Sequence, residues 1–84
     1  MALKVSVISP ERLLFEGDVD SVVAPAYDGE VGILPGHAPM MTLLGQGTLR
    51  LGSEGRDGRF QVEGGFLQVV DNAVRVVTER ATQG

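Results

Sequence analysis

The sequence predicts an all-β fold, an antiparallel β-sandwich or flattened barrel of eight to ten short strands. Short segments rich in Val and Leu alternate apolar and polar residues with a period of two, the repeat of a strand with one buried face. Twelve glycines and four prolines cut those segments at short intervals. No stretch is long enough for a full amphipathic helix, so sheets packed on sheets are the way to bury a core. A chain of 84 residues supports one such core. The expected domain runs from about residue 2 to about residue 80, with residues 81–84 frayed.

Taken in order, Leu3, Val5 and Val7 point one way and Lys4 and Ser6 the other, which makes a first strand. Residues 13–16 form a shorter second one. Residues 19–26 supply a third, and Pro25, with no N–H for the ladder, marks it as an edge or as close to its terminus. Residues 31–34 are another short apolar piece. Residues 39–44 break the pattern, because Met40, Met41, Leu43 and Leu44 do not alternate cleanly; a helical turn is open there. Residues 48–51 alternate with Leu49 and Leu51 inward, Phe60 and Val62 alternate with Arg59, Gln61 and Glu63, and residues 66–70 continue at the same period. Residues 52–58 are a polar, glycine-rich loop between two of these strands. Gly64-Gly65 and Asp71-Asn72 mark tight turns where a positive φ is cheap. Val74 and Val76 close the pattern around Arg75.

Composition excludes several functions. With 43% hydrophobic and 21% charged residues the chain has an ordinary globular make-up. The net charge is -4, and the basic residues Lys4, Arg12, Arg50, Arg56, Arg59, Arg75 and Arg80 are scattered among acids, so no stripe exists for nucleic acid. No apolar run approaches the roughly 20 residues that cross a bilayer, and the start leads into a strand pattern without a signal-peptide core. The expectation is a chain neither inserted nor secreted. It has no cysteine, whereas small secreted domains usually need disulfides, which favours the cytoplasm.

Chemistry is equally sparse. A phosphate-binding loop needs glycines at set spacing followed by Lys and Ser or Thr, and none is present. Gly45-Gln46-Gly47 lacks the third glycine and the helix of a dinucleotide fingerprint, and reads as a turn. The single histidine, His37, has no Gly-x-Ser-x-Gly elbow to serve. Glu11, Glu16, Asp18 and Asp20 read as solvated surface acids rather than metal ligands. Paired carboxylates for glycosidic chemistry need a cleft that so short a chain hardly encloses. No catalytic residue, cofactor or metal is assigned.

One segment stands apart, residues 28–40. Pro35 and Gly36 suit a type II turn from Leu34 to His37, with proline presetting φ and glycine accepting the positive value. Pro39 biases Ala38 away from the helical region, so the loop is stiff and presents His37 at its exit. The ordinary role of a lone histidine is to satisfy nearby backbone groups, that of Glu30 is a solvated turn acid, and Met40, Met41, Leu43 and Leu44 are ordinarily core. Their alternative is an exposed apolar patch for a partner.

Residues 29–39, Gly-Glu-Val-Gly-Ile-Leu-Pro-Gly-His-Ala-Pro, strongly resemble the central motif of the epsilon subunits of F-type ATP synthases of the bacterial and chloroplast kind. Val7-Ile8-Ser9-Pro10-Glu11, Phe15 and Gly17 before it extend the likeness, as do Gly47-Thr48-Leu49-Arg50, Gly64-Gly65-Phe66-Leu67 and Val74-Arg75-Val76-Val77-Thr78 after it. The resemblance implies a ten-stranded β-sandwich over residues 1–84, clamped to the gamma subunit at the foot of the central stalk and resting on the polar loops of the membrane c-ring. It implies a non-catalytic rotor part that couples proton- or sodium-driven rotation to ATP synthesis at the cytoplasmic face of the membrane, which it meets only through the complex. By the same resemblance, Glu30 matches a position facing the ring loops, while Ser9, His37 and Thr42 match positions lying towards gamma. The family's C-terminal pair of helices would begin where this chain stops, so the regulation attached to those helices is not carried over. The chain is expected to be either naturally short or trimmed, the Met-Ala start without a visible tag favouring the former only slightly. Two rivals are a β-sandwich module for a small ligand or glycan, disfavoured by having only Tyr27, Phe15, Phe60 and Phe66 as aromatics, and an enzyme using His37.

Overall fold

The computed structural model describes residues 2–53 and 56–83, which form ten strands in two five-stranded sheets. In chain order they are β1 (Leu3–Ile8), β2 (Leu13–Val19), β3 (Ser21–Ala26), β4 (Gly29–Ile33), β5 (Met40–Leu43), β6 (Gln46–Ser53), β7 (Arg56–Glu63), β8 (Phe66–Val70), β9 (Ala73–Val77) and β10 (Arg80–Gln83). The first sheet has the order β2-β1-β9-β8-β5 and the second β10-β7-β6-β3-β4. The pairs are antiparallel except β1 with β9, which run parallel; no hairpin links these two strands, so nothing forces them to oppose. The all-β sandwich read from the sequence is the fold, with that one parallel pair added.

Alternation builds the core. Leu3, Val5, Val7, Leu67, Val69, Val74 and Val76 of the first sheet are buried against Val22, Ala24, Ile33, Leu49, Leu51, Phe60 and Val62 of the second. Phe15 and Phe60 meet edge to face across the layers, with ring centroids 6.4 Å apart.

The chain changes sheet five times, and these crossings account for most of the differences from the sequence reading. Residues 19–26 are two strands rather than one. Val19 pairs with Leu3 in the first sheet, Ser21 pairs with Gly52 in the second, and the Asp20 amide donates to the Gly52 carbonyl at 2.7 Å between them. Pro25 lies one residue from the end of β3, as expected of a terminus, but β3 is not an edge strand. Its ladder with β6 ends at Val23, so Pro25 falls beyond the last paired residue on that side. Residues 39–44 contain no helical turn; Met40–Leu43 is an edge strand on β8, consistent with the extended bias that Pro39 imposes on Ala38. Residues 81–83, expected to fray, belong to β10 and pair with β7. The Thr78 hydroxyl anchors this last crossing, 2.8 Å from the Arg80 carbonyl and 3.3 Å from that of Glu63. Of the expected loop over residues 52–58, Glu54 and Gly55 lie outside the described residues, and the ladder of β6 with β7 reaches Ser53 and Arg56.

The tight turns form where expected. Asp71 and Asn72 take φ of 49° and 63° in a two-residue hairpin between Val70 and Ala73. Gly65 has φ 99°, and a Cβ there would collide with the Val77 carbonyl. Gly65→Ala is therefore expected to cost more than about 3 kcal/mol, a large share of the roughly 4–13 kcal/mol available to a domain this size. Gly32→Ala, where a Cβ meets nothing within 4 Å, is expected to stay within about 0.5 kcal/mol of the parent in urea unfolding.

Candidate functional site

The outer faces of the two sheets differ in chemistry. In the first sheet, register places Leu13 opposite Ile8, Ile8 beside Val77, Val77 opposite Phe66 and Phe66 opposite Leu43. Paired residues point to the same side of a sheet, and the neighbours Val7, Val76 and Leu67 fill the core, so these five side chains face outward. An apolar row thus crosses all five strands at one end of the sheet. Leu13 is 52% exposed and Leu43 62%, far from the full burial of the core; Met41, one step along β5, is 65% exposed. The rest of the face is mostly polar, with Ser6, Glu16, Arg75 and Gln68 in the next row and Lys4 and Asp18 beyond it.

The sequence reading offered Met41 and Leu43 as part of an exposed patch but missed the rest of the row, although a signal was present. Five strands carry two consecutive apolar residues at or beside one end: Val7-Ile8, Leu13-Leu14, Leu43-Leu44, Phe66-Leu67 and Val76-Val77. Strict alternation can bury only one of each pair. The other either faces solvent or meets a partner.

The outer face of the second sheet is polar. Arg50 stands directly opposite Arg59, and Thr48 opposite Gln61, whose amide donates to the Thr48 hydroxyl at 2.8 Å. Thr82 flanks Gln61 on β10. The Glu30 carboxylate lies 3.6 Å from the Arg50 guanidinium, reaching across β3, which separates their strands.

Each residue singled out from sequence has a definite place. Glu30 is exposed on the edge strand β4. Ser9 lies in the β1–β2 turn at the apolar end of the first sheet; its amide donates to the Arg12 carbonyl at 2.9 Å and its hydroxyl to the same oxygen at 3.2 Å. His37 follows the turn read from Pro35 and Gly36: its amide donates to the Leu34 carbonyl at 3.1 Å, and Gly36 has φ 89°. Its Nδ1 is 2.7 Å from the Ala38 carbonyl, an ordinary local backbone bond. Thr42 pairs with the buried Leu67 and shares its inward side, while its neighbours Met41 and Leu43 face out. The structure does not gather Ser9, His37 and Thr42 into one cluster; Ser9 and His37 sit beyond opposite ends of the first sheet. Among the described residues, no group of three or more His, Asp or Glu stands where it could hold a metal ion.

Two five-stranded sheets, one with an apolar row across one end of a mostly polar outer face and the other with a polar outer face, define a β-sandwich domain. The chain belongs to the family of ATP synthase delta/epsilon-chain β-sandwich domains, whose model matches residues 2–84. It is 48% identical over 77 residues to the ATP synthase epsilon chain of Leptospira borgpetersenii, covering 92% of this chain and 61% of that one. It is 45% identical over 82 residues to that of Carboxydothermus hydrogenoformans, covering 98% and 61%. It thus spans about three fifths of the length of these relatives. The epsilon chain of Frankia casuarinae is 42% identical over 82 residues, with 96% of each chain covered. Among solved structures, a chain of the Euglena gracilis mitochondrial ATP synthase OSCP/F1/c-ring assembly superposes with a TM-score of 0.89 at 25% identity, over 98% of this chain and 53% of that one. A chain of the Tetrahymena thermophila central stalk and c-ring gives 0.83 at 17% identity, covering 99% and 67%, and shares the fold.

The Asn72 side chain ties the Pro35-Gly36 turn to the β8–β9 hairpin, because its Oδ1 accepts the Gly36 amide at 2.7 Å while its carbonyl accepts the Lys4 amide at 2.8 Å. Asn72→Ala is expected to destabilise the domain by about 1–2 kcal/mol in urea unfolding, from the lost bond and the positive φ. Asn72→Gly, which tolerates that φ, is expected to recover part of the loss.

Proposed function

We propose that the chain is the β-sandwich part of a non-catalytic rotor subunit in the central stalk of an ATP synthase, joining the gamma subunit to the c-ring. The observation that carries this reading is the apolar row across the first sheet, in a member of the epsilon-chain family. Gamma covers that face and the polar loops of the ring meet the Glu30 side. The name of the Euglena assembly, which includes the c-ring, supports the ring as a neighbour. Ser9 and His37, at opposite ends of the first sheet, are both reached by a partner that spans its length. Thr42 belongs to this contact through the edge strand that displays Met41 and Leu43. Residues 1–84 act as one domain that transmits torque through proton- or sodium-driven rotation. It is held peripherally at the cytoplasmic face of the membrane through the complex.

Magnitudes rank the two contacts. Burying apolar surface contributes about 25 cal/mol per Å² before the costs of association, so a few exposed Leu and Met side chains outweigh one surface ion pair at about 0.2–1 kcal/mol. The apolar face therefore sets affinity, and Glu30 sets register on the ring, where repeated subunits multiply a weak contact.

Leu43→Asp is expected to weaken binding to the cognate gamma subunit by tenfold or more, measured by calorimetry, with the unfolding midpoint of the free domain little changed. Thr82→Asp, on the opposite face, is expected to stay within about twofold. Equal losses from both, or failure of the parent chain to bind gamma at all, would refute the assignment of faces. Glu30→Arg is expected to lower proton-driven ATP synthesis with the fold intact, and unchanged synthesis would remove Glu30 from the ring contact.

A further inference from the structure

Glu30 is not a free carboxylate awaiting a partner. The Arg50 guanidinium lies 3.6 Å from it, with the two side chains 49% and 66% exposed for Arg50 and Glu30 respectively. The arrangement has a cause in the register. Arg50 is flanked on β7 by Arg59, a like charge directly opposite, which disfavours a side chain lying in that direction. On its other flank Val23 of β3 offers no charge, and one strand further on is Glu30, opposite Pro25. A guanidinium is long enough to span the intervening strand and rest its stem over it. The Thr48 and Gln61 side chains bond to each other.

We propose that Arg50 is a positioning residue that sets the strength of the Glu30 contact with a cationic partner group by competing for the same carboxylate. This rests on the reading of Glu30 as the residue that faces the ring. A cation arriving on Glu30 must share the carboxylate with Arg50 or displace it. Because both groups are well exposed, the internal pair is weak enough to open. It holds Glu30 in place while no partner is present and keeps any single contact from becoming strong. A seat made from repeated weak contacts adjusts its register more readily than one made from a single tight pair.

The test measures binding of the chain, in complex with its gamma subunit, to purified cognate c-ring in detergent. The parent is compared with Arg50→Gln, Glu30→Gln and the double variant at two ionic strengths. Circular dichroism and gamma binding serve as checks that each variant folds. Arg50→Gln is expected to tighten ring binding by about two- to fivefold at low salt and to steepen its salt dependence, the range that a weak exposed pair implies. In the Glu30→Gln background the same substitution is expected to change nothing. If Glu30→Gln weakens binding but Arg50→Gln leaves it unchanged or weakens it too, the competition is overturned while the ring-facing role of Glu30 stands. If Glu30→Gln has no effect, the ring-facing role falls, and this inference falls with it.

Discussion

The Leu44 amide donates to the Gly65 carbonyl at 2.9 Å and the Gly64 amide to the Gly45 carbonyl at 3.3 Å, so two sheet crossings are bonded to each other at one corner of the sandwich. The Gly45 amide donates in turn to Pro25 at 2.8 Å, and the Tyr27 amide to Leu43 at 3.1 Å. This corner fixes where β5 ends, where β8 begins and how the end of β5 meets the β3–β4 hairpin. Leu43 and Phe66, each one residue from a crossing, come into register because of it. The same corner starts β6, and with it the run that places Arg50 two strands from Glu30. Both outer faces thus inherit their arrangement from one set of backbone bonds between turns.

Under the proposed function the two faces perform different physical work. An apolar row that crosses every strand of a sheet has no use within the sandwich, since the core beneath it is already filled by the other half of each apolar doublet. It costs solubility while exposed and gains stability only when covered, which suits a permanent neighbour in an assembly. The opposite face carries exposed charge and hydroxyl groups, whose contacts are weak and easily exchanged. A part that is held firmly on one side and seated loosely on the other can turn with one neighbour while adapting to the other.

Much of the fold was legible because period-two alternation and glycine or proline punctuation are local signals. The strands around Leu49, Phe60, Phe66 and Val74 and the turns at Pro35-Gly36 and Asp71-Asn72 follow from them directly. What was not legible depends on pairing between distant segments. Nothing local to residues 19–26 shows that the chain leaves one sheet at Asp20 and enters the other, and nothing local to residues 80–83 shows that β7 is waiting to pair with them. Residues 39–44 misled because their outward positions are apolar; an edge strand with Met41 and Leu43 outside loses the alternation that identifies strands. That same violation marks one end of the apolar row. The motif around Glu30 pointed to the family without disclosing that Arg50 shares its carboxylate, because the pair lies 20 residues apart in sequence and is made only across β3.

The central claim is that gamma covers the first sheet's outer face and leaves the second sheet's free. Side-chain footprinting by hydroxyl radicals, comparing the free chain with its complex with gamma, tests it most directly. The account predicts that Met41, Leu43 and Leu13 lose most of their labelling on assembly while labelling across the second sheet's outer face, around Arg59 and Thr82, is retained. Undiminished labelling of Met41 and Leu43 in the complex, with protection appearing on the second sheet instead, would contradict it.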